Sequence, residues 1–153
     1  MDEEPEPVVR AVTKLDEAAL AQLLTEFNGL ETTATQIRER LAKSRGVEYP
    51  VVAHVGEEVA GFASLRLLHY LGDDAPYAEL SELYVRGAYR RRGVARALIG
   101  ELEWQARRAG ALGWSVLTGS DNTAALALYQ SLGFRQFAVA LHKWFGTERP
   151  YRE

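Results

Sequence analysis

The chain contains no cysteine, which excludes a disulfide framework, thiolate metal ligands and a cysteine nucleophile. Its three histidines, His54, His69 and His142, are scattered without metal-ligand spacing, so no metal is expected. Long apolar runs are missing too. None reaches the roughly 18 residues a membrane-crossing helix needs, and the start, Met1-Asp-Glu-Glu-Pro-Glu-Pro7, is acidic where a secretory signal would be basic and then apolar. A cytoplasmic protein without a membrane partner is expected. A positive global field is also lacking: the net charge of -3 gathers no nucleic acid.

What is present suits one compact domain. A length of 153 residues with 47% hydrophobic composition can bury one core. We expect an acidic flexible leader over residues 1–7, one domain over 8–145 and a polar tail over 146–153, with no internal repeat.

Periodicity sketches the order of elements. Residues 8–12 read as a strand. A helix starts at Asp16, carries Leu20, Leu23, Leu24 and Phe27 on one face, and stops at Asn28-Gly29. A second helix spans about 33–44, with Ile37 and Leu41 one turn apart. Residues 51–55 and 59–65 form a hairpin through Gly56-Glu57-Glu58, and 77–85 is a further strand. A helix runs from Gly93 towards Gly110, a short strand follows at 114–117, and Asn122 caps a last helix closed by Gly133. Residues 134–145 read as a returning strand.

Five arginines, Arg86, Arg90, Arg91, Arg92 and Arg96, fall between positions 86 and 96 with no acid among them. They lie where a strand hands over to a helix, with small residues at Gly93 and Ala95. Helix-start N–H groups point outward, the helix dipole adds partial positive charge, and small residues let an anion approach the backbone. Arginines strengthen such a site by charge-assisted hydrogen bonds. By itself the run also fits a solvated surface. The Gly-Lys-Ser/Thr ending of a nucleotide-binding loop and the three-glycine dinucleotide spacing are both absent, so the expected ligand is another diphosphate.

Arg90-Arg-Arg-Gly93-Val-Ala95 resembles the Arg/Gln-x-x-Gly-x-Gly/Ala signature of the GNAT acetyltransferases, preceded by a strand ending Glu-Leu-Tyr-Val85. Asn122-Thr-Ala-Ala125-Leu-Ala-Leu-Tyr129-Gln-Ser-Leu-Gly133-Phe134 is similar to a second stretch of that family. With the hairpin ending Val59-Ala-Gly-Phe62, the likeness spans roughly residues 8 to 145. Ala95, where glycine is commoner, is a tolerated departure.

The resemblance implies an α/β fold, with a mixed, mostly antiparallel sheet of six to seven strands, about four helices and a splayed V between the two central strands. It implies acetyl-CoA as cofactor, its pyrophosphate on Arg90, Arg91, Arg92, Gly93, Val94 and Ala95, and its pantetheine arm along the backbone of Leu83, Tyr84 and Val85. Tyr129 matches the tyrosine that protonates the leaving thiolate. A phenol with pKa about 10 holds that proton at neutral pH, while the alternative is a helix aromatic packed on the sheet. Asn122 is a plain cap or a cap that also touches CoA.

An amine must lose a proton before it attacks, and Glu82 and Glu79 are the candidate bases. Three positions apart, they face opposite sides of an undistorted strand, so both reach the cleft only across a bulge. Glu82 is preferred; its alternative is an exposed strand carboxylate or an arginine partner. Phe27, Asn28, Tyr70, Asp73, Asp74 and Tyr77 are available as acceptor walls and suit a cationic amine.

The expected function is direct acetyl transfer to a primary amine of a small molecule or peptide. The alternative is a non-catalytic acyl-CoA-binding module. A nucleic-acid role is disfavoured by the acidic total and by there being a single aromatic, Tyr89, among the arginines. The apolar run 139–145 makes a homodimer a further expectation.

Overall fold

The computed structural model describes residues 3–146. Its contacts fall into two units, meeting between Val116 and Leu117.

The first unit is a five-stranded sheet with helices. Its strands are β1 (Val8–Ala11), β2 (Glu48–Val55), β3 (Glu58–Leu68), β4 (Tyr77–Val85) and β5 (Trp114–Val116), in that spatial order. All neighbours are antiparallel except β4 and β5, which run parallel. Helices α1 (Glu17–Asn28) and α2 (Ala34–Lys43) precede β2, and α3 (Val94–Arg108) connects β4 to β5.

Local chemistry sets the helix ends. Thr13 and Asp16 form a capping box around the single 3-10 turn Lys14–Asp16 that leads into α1, and Gly29 ends α1 at φ 69°. Thr33 and Gln36 form another box at the start of α2. Arg10 grips the buried Asp16 carboxylate with two hydrogen bonds of 2.7 Å. Led by that contact, its pKa falls from the usual carboxylate range to about 2.

One sheet face carries α1 and α2, whose Leu20, Leu23, Leu24 and Ile37 form a core with Val52 and Phe62, flanked by Val59 and Tyr84. α3 packs along β1 to β4, burying Val94, Leu98, Ile99 and Leu102. Residues out of phase with Val52 and Phe62, namely Val51, Ala53, Ala63 and Leu65, are buried on that second face.

β2 begins at Glu48, three residues before the strand expected from residue 51, and includes Pro50. The Pro50 carbonyl accepts from Val12 N, just beyond the end of β1. In an antiparallel strand N–H and C=O of one residue point the same way, so the missing N–H falls where β1 has ended.

The second unit holds α4 (Thr123–Ser131). Residues 134–146 form neither helix nor strand, which corrects the strand expected over 134–145. The sheet accordingly has five strands among the described residues rather than six to seven. Phe137, Val139, Leu141 and Phe145 give the alternation of a strand, yet all are at least 82% exposed. A strand needs a hydrogen-bonded neighbour as well as a period of two. The leader residues 3–7 have no regular structure. Residues 1, 2 and 147–153, and with them nearly all of the expected polar tail, lie outside the described residues.

Candidate active site

β3 and β4 change register between Ser64 and Leu65: Ser64 pairs with Glu82 and Leu65 with Leu80, leaving Ser81 as an extra residue on β4. This bulge decides which carboxylates meet. Counted strictly by twos, Glu79 and Glu82 face opposite sides; across one extra residue they face the same side. Tyr77, Glu79, Glu82 and Tyr84 thus share the α1/α2 face, opposite Leu68, Arg66, Ser64 and Phe62.

A charged cluster occupies this face. Glu48 accepts from Ser64 Oγ (2.5 Å), Ser81 Oγ (2.7 Å) and Arg66 Nε (2.7 Å). Arg66 also lies 3.7 Å from Glu79. Burial works against the Arg66 charge, but the bond to Glu48 and the charges of Glu48, Glu79 and Glu82 outweigh it and raise its pKa. Glu82 is open to solvent, yet its pKa is raised, first by the protein crowded around it and then by the charge of Glu48, with Arg66 and Arg40 opposing. The two observations agree if the carboxylate is wetted from one side only. Glu82 thus combines a raised pKa with access to solvent, the combination found at functional sites.

Glu48, Ser64, Arg66 and Ser81 were not singled out by sequence. They converge from three strands, and no local spacing relates them.

Aromatic groups flank the carboxylates. Phe27 lies 5.5 Å from Tyr84 and 6.3 Å from Phe62, while Tyr70 meets Tyr77 at 6.0 Å. The Tyr84 hydroxyl donates to Glu26 (3.2 Å), and its pKa is raised by burial and by that carboxylate. Asp73 is spent on a local turn, accepting from Ala75 N at 3.0 Å.

β5 pairs with β4 only from Ala78 to Leu80. β5 ends there, and Glu82, Leu83, Tyr84 and Val85 have no β5 partner among the described residues. On the other side this stretch is held close: Gly61 faces Val85, and a Cβ on Gly61 would stand 2.5 Å from the Tyr84 carbonyl oxygen.

The chain then enters the arginine turn. Arg91 adopts φ 60°, the one non-glycine residue with positive φ among those described, and Gly93 adopts φ 78°. Gly93 caps α3 with no side-chain hydrogen bond, and a Cβ added to it would meet nothing within 4 Å. The first N–H groups of α3 therefore have no side-chain cap at Gly93, which is the chemistry an anion favours. Val94 is buried, so only its backbone can serve a ligand, and Ala95 is half-buried.

The arginines divide by role. Arg86 is structural, bonded to Glu26 (3.3 Å) and the Val59 carbonyl (3.2 Å). Arg90 donates to the Val85 carbonyl at 3.2 Å. Arg92 lies 5.3 Å over the Tyr89 ring and 3.3 Å from Glu4 of the acidic leader.

In the second unit, Asn122 Oδ1 accepts from Ala125 N at 3.2 Å, so it caps α4, and Gly133 takes φ 93° after it. Tyr129 is buried, 5.6 Å from Phe134, and burial raises its pKa. Its hydroxyl therefore stays protonated well above neutral pH.

The Acetyltransferase (GNAT) family model matches residues 16–134, a span that includes both the arginine turn and α4. The chain belongs to the GNAT acetyltransferase family. It is an acetyl-CoA-dependent N-acetyltransferase. Thialysine N-epsilon-acetyltransferase of Caenorhabditis elegans is 32% identical over 72% of this chain and 70% of its own length. Aminoglycoside N(6')-acetyltransferase type 1 of Stenotrophomonas maltophilia is 30% identical over 85% of this chain and 87% of its own. The solved aminoglycoside N-acetyltransferase AAC(6')-Iy in complex with CoA superposes with a TM-score of 0.81, at 19% identity, over 95% of this chain and 99% of that one. That last likeness confirms the GNAT fold. No group of three or more potential metal ligands is present among the described residues. No helix among them is long and apolar enough to cross a membrane.

Proposed function

We propose that this acetyltransferase is one catalytic domain over residues 8–145. It holds acetyl-CoA at the α3 start and passes the acetyl group directly to a cationic primary amine of a small molecule or peptide. The observation that carries the reading is the uncapped α3 start on Gly93 beside the stretch of β4 that β5 leaves unpaired.

The pyrophosphate sits on the backbone N–H groups of Gly93, Val94 and Ala95, neutralised by Arg90, Arg91 and Arg92. Binding it displaces Glu4 from Arg92. The pantetheine lies along Leu83, Tyr84 and Val85, and a main-chain N–H there polarises the thioester carbonyl.

Glu82 takes the proton from the ammonium of the acceptor. The neutral nitrogen attacks the thioester carbon, the tetrahedral intermediate gives up its second nitrogen proton to solvent and collapses with loss of the CoA thiolate, and Tyr129 protonates that sulfur and regains its own proton from solvent. Asn122 caps α4 and touches CoA. No acyl-enzyme forms, since the chain has no cysteine and no serine in a nucleophile motif to carry one.

The acceptor class follows from charge. Glu48, Glu79 and Glu82 outnumber Arg66 and Arg40 around the open face, and Phe27, Tyr70 and Tyr77 supply apolar walls, so a cation is favoured over an anion. The relatives named for thialysine and aminoglycosides fit this class. Homodimer formation through the exposed Val139, Leu141 and Phe145 and a cytoplasmic location belong to the same reading; nucleic acid and membrane do not.

Calorimetric titration with acetyl-CoA, followed by a thiol-release assay over diamines, aminoglycosides, amino acids and basic peptides, tests it. Binding with thiol release on cationic amines supports the proposal. Absence of acetyl-CoA binding refutes the assigned turn.

A further inference from the structure

Glu48 opens β2, and its carboxylate gathers three donors from two other strands: Ser64 and Arg66 on β3 and Ser81 on β4. Ser81 is the extra residue of the bulge. Its hydroxyl also lies 3.2 Å from the Ser64 carbonyl, an acceptor available without Glu48. The bulge is therefore tied by a side chain reaching across β3 from two strands away. Ser64 is buried, and only 15% of the Glu48 side chain is exposed.

A structural ion pair needs one carboxylate for one arginine. Here Glu48, Glu79 and Glu82 all act on Arg66, an arrangement that repels itself and that protein structures concentrate at functional sites. The geometry gives Glu48 a purpose beyond pairing with Arg66, because the residue it ties through Ser81 is next to Glu82.

We propose that Glu48 is a positioning residue for acetyl transfer: bound to Ser64, Ser81 and Arg66, it pins the β4 bulge and holds the Glu82 carboxyl in the open face where the acceptor loses its proton. This rests on Glu82 serving as the base. Without the bulge, Glu79 and Glu82 revert to opposite faces and the cluster comes apart. Glu48 also acts electrically, since its negative charge works against ionisation of Glu82 and so strengthens that group's hold on a proton. The other charged groups facing Glu82 are Arg66 of β3, Glu79 of β4 and Arg40 of α2; Glu26 of α1 is engaged with Tyr84 and Arg86.

Carbon-13 NMR titration of the Glu82 carboxyl needs no acceptor and reads this directly. In Glu48→Gln the midpoint is expected to fall on the order of one pH unit. In Ser81→Ala, which removes the tie and leaves every charge, it drifts down by less. Glu48→Asp, which restores the charge, is expected to recover part of the shift, and the acid limb of kcat/KM moves with the midpoint in each variant. Proteins with wild-type unfolding temperatures but an unmoved midpoint in both Glu48→Gln and Ser81→Ala overturn the positioning role and leave the base assignment standing. A Glu82→Gln enzyme that keeps the wild-type acid limb refutes Glu82 as the base, and with it the purpose of the tie, whatever the carbon signal does.

Discussion

Gly61 and Tyr84 meet backbone to backbone, so closely that a single added methyl on Gly61 would lie 2.5 Å from the Tyr84 carbonyl oxygen. The contact fixes β3 against the part of β4 that β5 does not pair, the stretch proposed to carry the pantetheine. Gly61→Ala forces that backbone outward. A stability loss of about 1–3 kcal/mol is expected in thermal unfolding, with weaker acetyl-CoA binding by calorimetry. Full affinity in a destabilised Gly61→Ala protein would show that the cofactor does not use this stretch.

Gly93 has positive φ and open space before it. Gly93→Ala bears only the conformational penalty, about 1–2 kcal/mol. Gly93→Asp adds a negative charge where the pyrophosphate is placed. Calorimetry is expected to find acetyl-CoA binding weakened in the first and lost in the second; equal affinities in two folded variants would remove the turn from the cofactor site.

Glu82 has a raised pKa, and only its ionised form accepts a proton. Activity should therefore rise with pH through that raised value. Glu82→Gln should lose this limb, with a rate decrease of about 10²–10⁴-fold. The stability sign is opposite. A folded state that holds the proton more tightly than the unfolded chain loses stability as pH rises from the unfolded pKa through the folded one. Glu82→Gln escapes that loss, so its unfolding temperature at neutral pH should exceed that of the wild type. A lower one would contradict the crowding assigned to Glu82.

Tyr129→Phe deletes one hydroxyl from a buried ring. If that hydroxyl protonates the thiolate, kcat falls about 10²-fold or more while acetyl-CoA affinity holds. An unchanged kcat would assign Tyr129 to packing against Phe134.

Asp16, with its pKa lowered to about 2, stabilises the fold by about 2 kcal/mol at neutral pH. The sign is that of a depressed acid: the contribution is complete above the unfolded carboxylate range and disappears as pH falls from there towards 2. Arg10→Ala, which removes the two short bonds, should abolish most of it. Urea unfolding at pH 7 and pH 3 tests this: the gap between wild type and variant should shrink at the lower pH.

The parts of this architecture that sequence revealed are those written in consecutive residues. A helix start, a glycine with positive φ and an Asn cap are local, and the turn at Gly93 and the cap at Asn122 lie where the spacing places them. The β4 bulge is different. Sequence identified Glu79 and Glu82 and the condition under which they meet, but nothing in Ser81 marks it as the extra residue. Its register comes from β3, and its anchor from Glu48, 33 residues away. The strand expected from residue 51 left out Glu48, which the sheet admits because the missing Pro50 N–H faces a point where β1 has ended. Residues 134–145 show the reverse error, a strand pattern without a strand beside it.

The short reach of β5 along β4 has a consequence for the protein without its cofactor. An unpaired strand edge offers its N–H and C=O groups to any extended chain that reaches it, and such edges seed aggregation. On the proposed pantetheine path the arm would close this edge, and a ligand that binds the native state alone stabilises it. Depletion of acetyl-CoA is then expected to leave the enzyme idle and more open to self-association.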